Sequence, residues 1–147
     1  MSKETAGGFS AEERTAMKER AAELKSQGKA ADKAAAAEAE MLAKIAKMPD
    51  GDRQMAERLH SIVTDVAPHL LPKLYYGQPA YARDGKVVVF FRSGQMDKER
   101  YSTFGVTQHA ALDDASGLWA TSYALAEPTE EAWAQLTMIV KQAAEHA

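Results

Sequence analysis

The stretch Tyr-Tyr-Gly-Gln-Pro-Ala-Tyr at residues 75–81 decides the fold, together with Asp-Gly-Lys at residues 84–86 and the run Val-Val-Val-Phe-Phe at residues 87–91. An Asp-Gly pair between two extended segments is typical of a tight β-hairpin. The β-branched and aromatic run that follows predicts a central strand, buried on both faces or nearly so. These residues mark the point at which a helical half of the chain gives way to a sheet.

Helices are predicted on both sides of this sheet. Apolar residues at helical spacing predict one helix that is capped by Asp50 or Asp52 and ends at Pro68, and another that is capped by Thr129. Residues 69–74 are predicted to form a turn or a single helical turn, because two prolines flank their leucines. The predicted strands are residues 79–82, 86–92 and 100–106 and a fourth within 118–125. This order predicts an α+β domain in which a small antiparallel sheet of about four strands packs against N-terminal and C-terminal helices.

A charged accessory helix is predicted ahead of this domain. Ser-Ala-Glu-Glu at residues 10–13 has the spacing of a capping box, and the helix that it begins is expected to end at Gly28. Asp32 is then expected to cap a second helix over residues 33–48. The predicted organisation is a flexible N-terminus with an accessory helix over residues 1–31, of which 1–9 are frayed, followed by the α+β domain over residues 32–147.

Composition argues against several classes of function. Residues 1–48 carry nine Lys and Arg against eight Asp and Glu, and residues 49–147 carry nine against thirteen, so no nucleic-acid partner is expected. The chain has no cysteine, which removes disulfides, thiolate catalysis and cysteine-ligated metal centres. No window approaches the roughly 18 apolar residues of a membrane span, and the first residues lack an apolar signal core. A cytoplasmic protein without membrane contact is therefore expected.

No catalytic motif is visible in the sequence. His60, His69, His109 and His146 lack the spacing of a metalloprotease pair. A nucleophile elbow and a glycine-rich phosphate loop are also missing. A protein without enzymatic activity is expected, although a fold can assemble an acid and a base from distant residues.

Acidic residues give candidate metal ligands, since hard cations such as iron, calcium and magnesium bind clustered oxygen atoms. The structural alternative places one pair of carboxylates in a loop and the other in the first turn of a helix, where negative charge is favourable. The candidates are Asp113, Asp114, Glu130 and Glu131.

The aromatic stretch is the predicted ligand-binding region, because phenol rings combine apolar area with one polar group. Nearby arginines Arg83, Arg92 and Arg100 are candidates to meet an anion there. The alternative is that the rings pack the sheet under the helices. The predicted ligand-binding residues are Tyr76, Gly77, Pro79, Tyr81, Lys86 and Arg92.

From about residue 41 to residue 141 the chain resembles the YdhG-like domain family. The family pattern is Tyr-Gly-x-Pro-x-aromatic, a short turn, Gly-Lys and an apolar strand, and it is matched by Tyr76, Gly77, Pro79, Tyr81, Gly85 and Lys86. The resemblance implies an α+β domain with a small antiparallel sheet flanked by helices. Some members are described as frataxin-like proteins that bind iron and support iron–sulfur cluster or haem assembly, so the resemblance also implies iron as an alternative ligand.

The sequence therefore predicts a non-enzymatic module that binds a small molecule or a protein partner and is a monomer or a weak dimer. A frataxin-like iron-binding protein is the alternative, and an unrecognised enzyme is the third hypothesis.

Overall fold

A computed structural model describes residues 10–145 of the chain. The predicted frayed segment, residues 1–9, and His146 lie outside these residues. The contacts within the chain divide it into two compact units, residues 1–35 and residues 36–147.

The described residues contain three helices and five strands, which confirms the α+β class. The five strands form one antiparallel sheet in sequential order, one strand more than the sequence predicts. A short 3₁₀ helix, Gln95–Asp97, follows the third strand. The elements are α1 Ala11–Ala46, α2 Asp50–Val66, β1 Leu71–Tyr75, β2 Gln78–Arg83, β3 Lys86–Arg92, β4 Ser102–Val106, β5 Ser122–Leu125 and α3 Glu130–Ala143.

The additional strand is β1, and the prediction of a turn or helical turn there is wrong. β1 pairs with β2 along its whole length, from Leu71 opposite Ala82 to Tyr75 opposite Gln78. Pro72 indicates against a strand in the sequence, because proline interrupts the hydrogen-bond ladder of a central strand. β1 lies at the edge of the sheet, where proline is tolerated.

Two tight turns connect the first three strands. Tyr76 and Gly77 join β1 to β2, and both have positive φ, 51° and 78°. Asp84 and Gly85 join β2 to β3 with φ of 52° and 79°. Positive φ at both central residues is the conformation of a type I′ hairpin turn, which matches the twist of the strands. The predicted Asp-Gly hairpin is therefore confirmed, and the Tyr-Gly pair forms a second one.

The main core lies on one face of the sheet. It is formed by apolar side chains of the three helices and the inward-facing strand residues, in one continuous cluster that includes Met41, Leu59, Val63, Tyr81, Val89, Phe91, Phe104, Leu136 and Val140. A smaller cluster on the sheet comprises Ala80, Ala82 and Val87, against which Tyr75 and Phe90 pack. The helices therefore cover one face, and on the smaller cluster the covering side chains, Tyr75 and Phe90, belong to the sheet itself.

The helix α1 is continuous where the sequence predicts two helices. The capping box is confirmed, since Ser10 N donates to Glu13 Oε1 and Glu13 N donates to Ser10 Oγ, both at 3.1 Å. The predicted end at Gly28 is wrong, because α1 continues through Gly28 and Asp32 to Ala46. One glycine in a helix costs about 1 kcal/mol relative to alanine, and the alanines that follow favour helix strongly enough to offset this.

The start of α2 also differs from the prediction. Pro49 is its N-cap, and no side chain caps the helix, so neither Asp50 nor Asp52 has the expected role. Asp52 is instead buried, with 3% of its surface exposed. Its carboxylate accepts hydrogen bonds from Ser93 Oγ, from Ser102 Oγ at 3.0 Å and from Gln95 N at 3.0 Å. These bonds attach the first turn of α2 to the connection between β3 and β4.

We expect Asp52→Ala to lower the free energy of unfolding by about 2–3 kcal/mol, because the buried Ser93 and Ser102 hydroxyls lose a charged acceptor. Urea denaturation followed by circular dichroism measures this change. Asp50→Ala is the matched control, since that side chain is 92% exposed in its ion pair with Arg53, and should cost below about 1 kcal/mol. Equal costs for the two variants would contradict the role given to Asp52.

Candidate functional site

The structure does not bring the six predicted ligand-binding residues together in one site. Tyr76 is 91% exposed in the β1–β2 turn with Gly77, whereas Tyr81 is 1% exposed within the main core. Pro79 is fully buried in β2. Lys86 and Arg92 lie at opposite ends of β3. Tyr81 and Pro79 therefore pack the fold, and the others are spread over its surface.

The hydroxyl of Tyr81 has a defined partner inside the protein. It lies 2.9 Å from His60 Nδ1, and His60 Nε2 lies 3.2 Å from a carboxylate oxygen of Glu38. A carboxylate only accepts, so in the neutral imidazole Nε2 carries the proton and Nδ1 accepts from the Tyr81 hydroxyl. Burial, with a smaller contribution from the negative charge of Glu38, raises the pKa of Tyr81 above its ordinary value. Tyr81 is therefore a neutral hydrogen-bond donor.

The candidate arginines have three different environments. Arg83 donates to the backbone oxygens of Ala144 and His109, at 2.7 and 3.2 Å, and so ties the end of α3 to the sheet. Arg92 is paired with Asp97, at 2.9 Å, and with Glu99. The guanidinium of Arg100 lies 5.2 Å from the centre of the Tyr101 ring and lines a cleft. Of the three, Arg100 lines the cleft described below.

The candidate metal ligands are separated and partly engaged by other groups. Both carboxylate oxygens of Glu130 bond to Arg58, at 2.6 and 2.7 Å, and this contact holds the pKa of Glu130 below its ordinary value. Asp114 accepts from Ser116 within its loop, which likewise lowers its pKa. Within residues 10–145, no group of three or more His, Asp or Glu side chains is arranged to hold a metal ion. Iron binding stays a prediction.

The cleft beside Arg100 has a volume of about 510 Å³. It lies between the start of α2, the connection from the 3₁₀ helix to β4 and the connection from β5 to α3. Pockets of a few hundred cubic ångströms are the size that binds small molecules in proteins. Its lining comprises Gly51, Asp52, Gln54, Met55, Arg58, Gln95, Glu99, Arg100, Tyr101, Ser102, Leu125, Ala126, Glu127, Pro128 and Trp133.

Buried polar contacts hold the floor of this cleft. The carboxylate of Asp52 and the hydroxyl of Ser102 are the buried polar groups of the lining, and Ser102 Oγ also accepts from Gly94 N at 3.0 Å. A side chain at position 94 is excluded, because its Cβ would lie 2.1 Å from the backbone oxygen of Tyr101. Gly94 therefore packs directly against the backbone at the start of β4.

In the walls of the cleft, the guanidinium groups of two arginines lie over two aromatic rings. Arg58 lies 5.1 Å from the centre of the Trp133 ring while it bonds to Glu130, and Arg100 lies over Tyr101. A guanidinium at this distance is attracted by the ring face. These contacts restrict the side chains of both arginines.

The charges of the cleft are matched except at two residues. Arg58 is paired with Glu130, Glu99 with Arg92, and Asp52 is satisfied by its hydroxyl and amide donors. Arg100 and Glu127 line the same cleft, and no ion pair involves either of them in the part of the chain that the structure describes. The cleft therefore offers a ligand one cation and one anion.

No protein-family model, no curated protein and no solved structure matches this chain. The YdhG-like resemblance and its functional implications stay predictions. Among residues 10–145, no helix combines the length and the apolar character that crossing a membrane requires.

Sequence reasoning missed most of this cleft. The sequence predicts Asp50 or Asp52 as a helix cap, and Ser93 and Ser102 carry no motif that marks them as partners of Asp52. Glu127 precedes Pro128 in the segment that is predicted to connect the last strand to the last helix. Arg100 is the cleft residue that the sequence does indicate, since it is one of the three arginines predicted to meet an anion.

We expect the stability difference between the wild-type protein and Tyr81→Phe to shrink as the pH rises above about 9. The unfolded chain ionises this tyrosine near pH 10, whereas burial keeps it neutral in the folded state, so ionisation favours the unfolded wild-type chain by up to about 1.4 kcal/mol per pH unit. Urea unfolding between about pH 8 and pH 11 measures the difference.

Tyr76→Phe is the matched control for this experiment, because that ring is 91% exposed. Its stability relative to the wild type should not change with pH in the same range. A pH-independent difference for Tyr81→Phe would contradict the buried, neutral state of the Tyr81 hydroxyl.

Proposed function

We propose that this protein is a binding module for a small polar molecule and that the cleft beside Arg100 is its binding site. The observation that carries the proposal is the pair of oppositely charged residues, Arg100 and Glu127, that border one cleft without an ion pair to other described residues. A buried and hydrogen-bonded floor supports it, since a preformed site avoids the cost of ordering on binding.

The charges of the cleft favour a ligand that carries both an amine and a carboxylate. A purely anionic ligand would approach Arg100 but would also approach Glu127 and the buried Asp52 carboxylate. A purely cationic ligand would approach Glu127 but would also approach two guanidinium groups. A zwitterion places its carboxylate on Arg100 and its amine on Glu127, and the Tyr101 ring offers an apolar surface for the rest of the molecule.

The proposal agrees with the class of function that the sequence predicts, a binding module, but places the site elsewhere. The sequence predicts the site in the aromatic stretch, residues 75–81. That stretch forms the hairpin of β1 and β2. The Tyr81 ring fills the core, and the Tyr76 ring lies on the surface.

Three probes that share a phenyl ring separate the charge classes: L-phenylalanine carries both charges, phenylacetate the negative one and phenethylamine the positive one. We expect L-phenylalanine, at millimolar concentration, to shift the backbone amide signals of Gly51, Gln95 and Ser102 in ¹H–¹⁵N NMR spectra more than either matched probe does. The physical reason is that only the zwitterion satisfies Arg100 and Glu127 together.

Arg100→Gln and Glu127→Gln are the matched variants, each of which removes one charge at an exposed position. Each should reduce the affinity for L-phenylalanine by about tenfold, the loss of roughly 1.4 kcal/mol. Lys86→Gln, at the far end of β3, is the control and should leave it unchanged. The proposal is wrong if L-phenylalanine produces no shifts at the cleft, or if all three probes act alike.

A further inference from the structure

The N-terminal part of α1 presents a repeated face that the site described above does not use. Met17, Ala21, Leu24, Gly28, Ala31 and Ala35 recur at alternating spacings of four and three residues, and we call them the heptad face. Such spacing places all members along one seam of a helix, as in a coiled coil. Met17 and Leu24 are 52% and 51% exposed, so the largest side chains of the face are open to solvent.

This part of α1 has little else to stabilise it. Every residue from 11 to 33 is exposed. Its one ion pair within the described residues joins Arg20 to Glu23 at 2.8 Å, and both side chains are largely exposed. Helical stability in proteins comes mainly from packing of an apolar face rather than from propensity. A helix with a heptad face and few internal contacts therefore gains most from a partner helix.

We propose that the heptad face pairs with the same face of a second copy of this chain, with the two helices antiparallel. One set of positions, seven residues apart, is small throughout, Ala21, Gly28 and Ala35, and the alternating set has two larger residues, Met17 and Leu24, followed by Ala31. Small residues allow two helix backbones to approach closely, and the larger residues fill the space beside them.

Packing selects the register of the antiparallel pair. When Leu24 lies on the partner's Gly28, Met17 lies on the partner's Ala35 and Ala21 on the partner's Ala31, so every layer combines a larger residue with a small one or two small ones. The space is available, since no atom lies within 4 Å of where a Cβ at Gly28 would be. A parallel pair would instead place Leu24 on the partner's Leu24 and leave an unfilled layer at Gly28.

Charge complementarity supports the same register. Beside the seam, Lys18 comes next to the partner's Asp32, and the two-fold symmetry repeats this attractive contact. The one repulsive contact is Lys25 with its own copy, which is formed once. A parallel pair would place Arg20 beside the partner's Lys25 twice and Glu13 beside the partner's Lys18 twice, so its repulsive and attractive contacts are equal in number. The antiparallel pair has two attractive contacts and one repulsive contact, so the charges favour it, and this self-complementarity supports a second copy of this chain as the partner.

Sedimentation velocity of the full chain over a concentration series up to about 0.5 mM tests the pairing, since a short interface of small residues is expected to bind in the micromolar range or weaker. The expected result is a monomer–dimer equilibrium within that range. Ala31→Glu, on the heptad face, should weaken it by at least about tenfold. Ala30→Glu is the matched control, because it places the same carboxylate one residue away on the outer side of the same helix.

Charge reversal tests the antiparallel register. Lys18→Asp and Asp32→Lys should each weaken the dimer, and the double variant should restore the wild-type affinity, because the pair then re-forms with reversed signs. Circular dichroism verifies that each variant keeps its helix. A chain that is monomeric throughout the series, or equal effects of Ala31→Glu and Ala30→Glu, would overturn the proposal. Failure of the double variant to restore the dimer would overturn the antiparallel register.

Discussion

The buried carboxylate of Asp52 is the interaction on which the rest of the α+β unit depends. It comes from the first turn of α2 and binds Ser93 and the amide of Gln95 in the connection between β3 and β4, and Ser102 at the start of β4. One side chain thereby satisfies the two buried hydroxyls of Ser93 and Ser102 and also accepts from the Gln95 amide. A charge held by several donors inside a protein is costly to disturb, since the removal of one partner leaves the others unsatisfied.

The cleft depends on this interaction for its shape. Asp52 and Ser102 form its floor, and the connection that they hold carries Arg100 and Tyr101 on the wall. Because the floor is fully hydrogen-bonded, the cleft exists before a ligand arrives. In the proposed recognition of a small zwitterion, the buried hydrogen bonds of Asp52 and Ser102 therefore set the geometry of the cleft. The exposed charges of Arg100 and Glu127 set its selectivity.

Local chemistry made part of the fold predictable from sequence. The Asp84-Gly85 turn, the bounds of β3 and the Thr129 cap of α3 are confirmed, because a type I′ turn, a β-branched run and an N-cap each depend on a few adjacent residues. The errors arose where distant contacts or position in the sheet decided the outcome. Pro72 is tolerated in β1 because β1 is an edge strand. Asp52 does not cap α2 but accepts hydrogen bonds from residues more than 40 positions away in the sequence. The cleft combines residues from four separate segments, so no local pattern marked it.

Amide hydrogen exchange at Gln95 tests the central claim most directly. Its N–H lies in a short, exposed segment, yet donates to the buried Asp52 carboxylate at 3.0 Å. We expect slow exchange at Gln95 in the wild-type protein and fast exchange in Asp52→Ala, with the exposed Arg100 amide as the reference for fast exchange in both. Exchange at Gln95 as fast as at Arg100 in the wild-type protein would contradict the claim that Asp52 holds this connection in place.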